Sequence, residues 1–74
     1  MINEQRKQFS LWARQQMLRK GLTQTDMARD KNIARTRISE ALSDKGKYSK
    51  KYVRLIIEEL GTKKELEKFK KLYE

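Results

Sequence analysis

Four side chains that can donate hydrogen bonds stand together at the start of one helical segment: Arg35, Thr36, Arg37 and Ser39. An arginine guanidinium can donate two hydrogen bonds to O6 and N7 of guanine, a threonine methyl group can pack on a thymine methyl group, and a serine hydroxyl can donate or accept. The chemistry that these residues could perform is therefore recognition of base edges and phosphates, not bond making.

The chain lacks two of the residue types that most often perform catalysis. The 74 residues include no cysteine and no histidine, which excludes thiol chemistry, disulfides, Cys/His zinc sites and imidazole acid–base catalysis. We expect the carboxylates to lie at solvent-facing positions. The sequence therefore predicts a protein that is not an enzyme, with no metal site, no cofactor and no small-molecule substrate.

The charge of the chain is large and unevenly distributed. Lysine and arginine number 19 against 10 acidic residues, and the net charge of +9 predicts a polyanionic partner, either nucleic acid or an anionic membrane. Residues 45–54 hold five cations and no acid, whereas residues 55–74 are balanced. A surface that only keeps a protein soluble usually mixes both signs, so residues 45–54 are expected to contact phosphates. A second basic patch is predicted on helix 1: Arg6, Lys7, Arg14, Arg19 and Lys20.

Helical periodicity and the three glycines define the predicted elements. The chain lacks proline, and Gly21, Gly46 and Gly61 fall where helical patterns stop. We expect helices over residues 3–20, 24–30, 35–43 and 50–60, followed by a fifth helix that begins after Thr62. No stretch alternates as a strand would. The predicted fold is all-α, a compact bundle of about five short helices in one domain, residues 1–74.

Local signals predict how several of these helices begin. Thr23 with Asp26 and Thr62 with Glu65 have the spacing of capping boxes, in which each side chain satisfies a backbone N–H of the other residue. Ser49 is expected to cap helix 4.

The predicted core follows the apolar stripes of the helices. Trp12 could stack on a base, but at helical spacing from Phe9 and Met17 it is expected to pack inside, as is Tyr52. The other expected core residues are Phe9, Ala13, Met17, Met27, Ala28, Ile33, Ile38, Ala41, Leu42, Val53, Ile56, Ile57, Leu60, Leu66, Phe69, Leu72 and Tyr73.

Residues 22–42 have the layout of a helix-turn-helix, in which the second of two short helices enters the DNA major groove. The turn requires a left-handed residue, and Asn32 tolerates that conformation. Over roughly residues 9–60 the chain resembles the phage repressor and Cro type, the lambda-repressor-like helix-turn-helix family. The resemblance rests on Gly21-Leu22-Thr23-Gln24 before helix 2, Ala28 at the helix crossing, the Asn32 turn, and Ile38 and Leu42 in the core. Two features depart from the family pattern: Asn32 replaces the usual glycine, and Arg35 and Arg37 replace commoner Gln and Ser residues.

The resemblance implies roles for individual residues. Arg35, Thr36 and Ser39 would read bases, and Gln24 would bind a phosphate and brace the first residue of the recognition helix. Arg37 leans toward the DNA backbone. The full set of expected phosphate contacts is Arg19, Gln24, Arg37, Ser43, Lys45, Lys47, Tyr48, Ser49, Lys50, Lys51 and Arg54. The alternative for Arg35 is a surface ion pair with Asp30 or Glu40.

The expected function is sequence-specific binding of double-stranded DNA by a small transcriptional regulator, a Cro-like repressor of a phage or mobile element that occupies a palindromic operator. We expect a homodimer at least on DNA, with half-sites about 34 Å apart, and residues 62–74 could serve self-association. With no signal peptide and no apolar run of membrane-spanning length, the expected location is cytoplasmic, at the nucleoid of a prokaryotic host.

Two other classes of function remain open. The same fold could serve as an interaction protein, an antitoxin or an antagonist of another regulator, with the stripe Leu66, Phe69, Leu72 and Tyr73 as its partner surface. Exposure of that stripe would favour this class, and its burial against helix 1 would favour DNA binding alone. A basic membrane or RNA binder is a weaker alternative, because the apolar residues are needed for a core and no RNA-binding aromatic pattern is present.

Overall fold

Helices make up the regular structure of residues 2–44 and 46–74, the part of the chain that the computed structural model describes, and no strand occurs there. The predicted all-α class is confirmed. The described residues form six helices, one more than predicted: α1 (Ile2–Lys20), α2 (Gln24–Lys31), α3 (Arg35–Leu42), α4 (Lys50–Leu60), α5 (Lys63–Lys68) and α6 (Lys70–Tyr73).

The beginning and the end of α2 follow the sequence signals. The Asp26 backbone N–H donates to Thr23 Oγ1 over 3.1 Å, and the Thr23 N–H donates to Asp26 Oδ2 over 3.0 Å, so the predicted capping box is confirmed. Asn32 ends the helix in the left-handed region, with φ 54° and ψ 48°. Its short polar side chain tolerates this conformation, and the chain can turn into α3 after two more residues. The capping box of Thr62 and Glu65 at the start of α5 is also confirmed.

The prediction for Ser49 is wrong in part. Ser49 occupies the residue before α4, but its hydroxyl makes no hydrogen bond to the helix. Its carbonyl accepts the N–H groups of Tyr52 and Val53 instead. Thr23 and Thr62 each have a carboxylate three residues on, whereas Ser49 has Tyr52 there, so the reciprocal bond of a capping box is missing.

The C-terminal helix is interrupted at Phe69, which explains why the structure has six helices where the sequence predicts five. Phe69 has φ −103° and ψ 18°, and its N–H donates to the Glu65 carbonyl. Phe69 and Leu72 are both buried, at 1% and 0% exposure, as their spacing of three residues predicts. The interruption therefore leaves the apolar stripe of this segment in place.

The core lies where α1, α3, α4 and α6 meet. Most of the predicted core residues are buried, whereas Trp12, Ile33, Tyr52, Leu66 and Tyr73 are only half-buried and pack on its edge. The rings of Phe9 and Phe69 meet edge-on with centroids 5.6 Å apart, and Trp12 lies 5.5 Å from Phe69.

The last helix belongs to this core. α6 packs against α1 and α4, and the Tyr73 hydroxyl donates to the Leu66 carbonyl over 2.8 Å. The apolar stripe that would favour a partner surface on the C-terminal segment is therefore largely covered by the molecule itself.

None of the described helices has the length and apolar content needed to cross a membrane.

Candidate nucleic-acid interface

α3 presents polar side chains on its outer surface because its apolar side is fixed in the core. Ile38, Ala41 and Leu42 recur at intervals of three and four residues and are at most 2% exposed. Arg35, Thr36 and Ser39 fall between these positions on the helix and are exposed, as the sequence predicts. The neighbouring α2 contributes Met27 and Ala28 to the same core, which holds the two helices together.

These exposed residues line an open groove of about 580 Å³, here called the α3 groove. Its wall is completed by the segment that follows α3, so the candidate base readers share one concavity with Ser43 and Lys47, two of the candidate phosphate contacts. The lining residues are Arg35, Thr36, Ser39, Glu40, Ser43, Gly46 and Lys47.

Arg35 is available for a ligand. Among the described residues no hydrogen bond or ion pair involves its side chain. Glu40, one of the two acids considered as its partner, instead pairs with Arg37, whose Nη1 lies 3.3 Å from Glu40 Oε1. Both Arg35 and Lys47 line the groove, and neither forms an ion pair with a described carboxylate.

Two other candidate phosphate contacts face the C-terminal helices. Lys50 Nζ donates to the Glu74 backbone oxygen over 2.8 Å. Arg54 Nε donates to Glu58 Oε1 over 3.0 Å, and its guanidinium lies 5.7 Å from the centre of the Tyr73 ring. Any phosphate contact by these cations would compete with intramolecular partners. Lys51 is exposed on the first turn of α4.

The remaining candidates occupy different parts of the surface. Gln24 is half-buried at the start of α2 and lines a separate shallow depression of about 380 Å³ with Arg14 and Leu18. Arg19 is exposed at the end of α1, and Tyr48 and Ser49 are half-buried before α4. Lys45 lies outside the described residues.

Arg6 does not belong to the basic patch that the sequence predicts on helix 1. Arg6 is 7% exposed. Its Nη1 donates to the Gly46 carbonyl over 2.6 Å, its Nη2 donates to the Ser43 carbonyl over 2.7 Å, and its guanidinium lies 4.5 Å from the centre of the Tyr48 ring. A sequence signal existed, because Arg6 precedes Phe9 by three residues and continues the buried stripe of α1.

One titratable group beside this surface has a shifted pKa. The hydrogen bond from the Thr23 backbone N–H lowers the pKa of Asp26 below its usual value of 3.8, with help from the Thr23 hydroxyl and the charge of Arg29. The carboxylate is therefore ionised at neutral pH, as suits a position at the positive end of a helix dipole.

The described residues contain no cluster of three or more carboxylates that could hold a metal ion. No protein-family model matches the chain, and no curated protein and no solved structure is similar to it at a significant level.

Proposed function

We propose that the protein is a sequence-specific double-stranded DNA-binding regulator in which α2 and α3 form a helix-turn-helix and α3 is the recognition helix. In this proposal it is a small repressor, of the kind that phages and mobile elements use, and it acts by occupying an operator. The α3 groove is the observation that supports the proposal most. The candidate base readers and two candidate phosphate contacts line this one concave surface: Arg35, Thr36, Ser39, Ser43 and Lys47.

The dimensions of α3 support a place in the major groove. An α-helix with its side chains is about 10–12 Å in diameter, and the major groove of B-DNA is about 12 Å wide, so the exposed side of α3 can enter it. Its outer side offers a guanidinium and two hydroxyl groups, and a carboxylate there is already paired with Arg37. A duplex would therefore meet donors with little repulsion from acidic groups.

Two polar residues on different elements support a partner with two phosphate backbones. Lys47 lines the α3 groove, and Gln24 is the first residue of α2. The Gln24 side-chain amide could donate to a phosphate oxygen, whereas the Asp26 N–H in the same turn is already bound to Thr23 Oγ1. In this arrangement phosphate contacts position α3, and Arg35, Thr36 and Ser39 read the sequence.

Selection from a pool of random duplex DNA tests the proposal. We expect enrichment of a palindromic consensus with half-sites about one helical turn apart. The selection is repeated with Arg35→Ala, which should lose the preference for guanine at one position of each half-site and keep the others. Lys63→Ala removes the same charge from the exposed start of α5 and is the matched control, with an unchanged consensus expected.

An absence of any enriched sequence would contradict sequence-specific recognition. Enrichment that is the same for the wild type and for Arg35→Ala would leave DNA binding in place but would reject α3 as the recognition helix.

A further inference from the structure

Arg6 is the one charged residue that is buried among those described, and burial of a guanidinium is costly unless its donors are satisfied. Its side chain reaches from α1 to the described residues between α3 and α4, residues 43–44 and 46–49, which are called this segment below, over sequence separations of 37 and 40 residues. All three of its partners described above, the carbonyls of Ser43 and Gly46 and the ring of Tyr48, belong to that segment. Arg6 thus ties the N-terminal half of α1 to a part of the chain without regular structure.

The same segment forms one wall of the α3 groove. Ser43 and Gly46 both line the groove, and Lys47 follows directly. Gly46 has φ 77°, a left-handed conformation that makes the chain turn just before Lys47. The Gly46 carbonyl that Arg6 binds belongs to the peptide group that joins Gly46 to Lys47.

We propose that Arg6 is a positioning residue that orders this segment from the core side and so presets Lys47 for contact with a DNA phosphate. The inference rests on the proposed function. A segment that is ordered in advance loses less conformational entropy on binding, which strengthens binding without any contact between Arg6 and DNA.

The chemistry of the site explains why an arginine serves here. A planar guanidinium can donate to two carbonyls at once and lie flat against an aromatic ring, whereas a lysine ammonium is a point charge without a face to stack. Both bonds are charge-assisted because the guanidinium is ionised, and such hydrogen bonds are stronger than those between neutral groups.

The first test needs no DNA. Backbone ¹⁵N relaxation gives order parameters for Gly46 and Lys47 in the full chain, in Arg6→Met and in the control Lys63→Met. We expect wild-type and control values near 0.85 and a fall below about 0.6 in Arg6→Met, the levels of rigid and flexible backbone. Arg6→Lys is the second variant and should fall to an intermediate value. Unchanged order parameters in both Arg6 variants would overturn the proposal, as would loss of folding in both, since Arg6 would then be needed by the whole fold.

The second test uses a duplex of random sequence, at a temperature where every variant is folded. Arg6→Met should raise Kd about 2- to 10-fold, the cost of ordering one side chain and its segment. The slope of log K against log salt should become shallower by about 0.9, because one phosphate contact is lost. Lys47→Ala should then have almost no further effect in the Arg6→Met background. A full Lys47→Ala effect in that background would overturn the proposal.

The two tests separate this inference from the proposed function. Failure of the wild-type protein to bind any duplex would reject the proposed function and, with it, the role of Arg6 in DNA binding. Order parameters that stay high in Arg6→Met would reject the Arg6 inference even if the wild type binds DNA well.

Discussion

Arg35 and Arg37 are two positions apart on α3, but their surroundings leave only the Arg35 side chain available for a ligand. Arg37 has an ion pair with Glu40 one turn away, and a surface pair of this kind adds little stability but occupies the guanidinium. Arg35 has no described partner and lines the α3 groove. In the proposed function, the N–H donors of Arg35 are therefore available to form hydrogen bonds with DNA.

The first prediction concerns Arg35→Ala. At the preferred site this change should cost about 1 to 3 kcal/mol of binding free energy, because a bidentate contact to guanine is lost. The cost on random duplex should be much smaller. Fluorescence anisotropy with both duplexes measures the difference, and Lys63→Ala is the control. Equal losses on the two duplexes would show that Arg35 contacts a phosphate.

Residues also differ in how far the sequence predicts them. The left-handed Asn32 and the capping boxes of Thr23 and Thr62 are confirmed, because their partners lie within a few residues along the chain. The burial of Arg6 and the bond from Lys50 to Glu74 were not predicted, because each depends on a segment more than 20 residues away. The proposed base readers stay predictions, although the sequence did predict that they are exposed.

At the scale of elements, the residues at helix ends determine how α2 is followed by α3 and how α4 is followed by α5 and α6. Periodicity predicted the positions of five helices but not the interruption at Phe69, because residues 63–74 contain no glycine or proline that would signal a break. Gly61, which connects α4 to α5, lies very close to another side chain: a methyl group built there would lie 2.7 Å from Trp12 Cζ2. Gly61 is therefore required by a close approach and not by its backbone angles, since its φ of −129° is open to any residue.

The second prediction follows for Gly61→Ala. Forcing a methyl group against the indole should destabilise the fold by about 1 to 3 kcal/mol, the usual cost of overpacking. Urea unfolding followed by circular dichroism gives the free energy of unfolding. In a Trp12→Phe background, which removes the ring atoms that clash, Gly61→Ala should cost clearly less. An equal cost in both backgrounds would assign the effect to the backbone.

The third prediction concerns the pH dependence of the α2 cap. The pKa of Asp26 is lowered in the folded state, so its contribution to stability is present above the usual value of 3.8 and is lost as pH falls through the folded-state value. Asp26→Asn removes the ionisable group but keeps an acceptor. The difference in unfolding free energy between wild type and Asp26→Asn should be constant down to about pH 5 and shrink at lower pH. A difference that does not change with pH would mean that the charge of Asp26 contributes nothing to the cap.

At the scale of the whole molecule, the cations differ in whether they are buried, paired with a carboxylate or free of ion pairs. Arg6 is internal, Lys31 pairs with Glu59 over 3.0 Å, and Arg54 and Lys70 pair with carboxylates one turn away. The total of 19 lysine and arginine residues therefore overstates the number of cations that are free to meet a polyanion. Sequence composition indicates the class of partner, but the pairing pattern decides how many contacts that partner can make.

The fourth prediction is that the position of an unpaired cation decides its contribution to the salt dependence of DNA binding. Each phosphate neutralised by a cation contributes about 0.9 to the slope of log K against log salt. Lys47→Ala should make the slope shallower by about that amount, because Lys47 lines the α3 groove. Lys63→Ala changes the net charge equally but removes a cation from the start of α5, and its slope should match that of the wild type. Anisotropy titrations of one random duplex at several salt concentrations measure all three proteins, and equal slopes for the two variants would mean that the protein binds through its net charge alone.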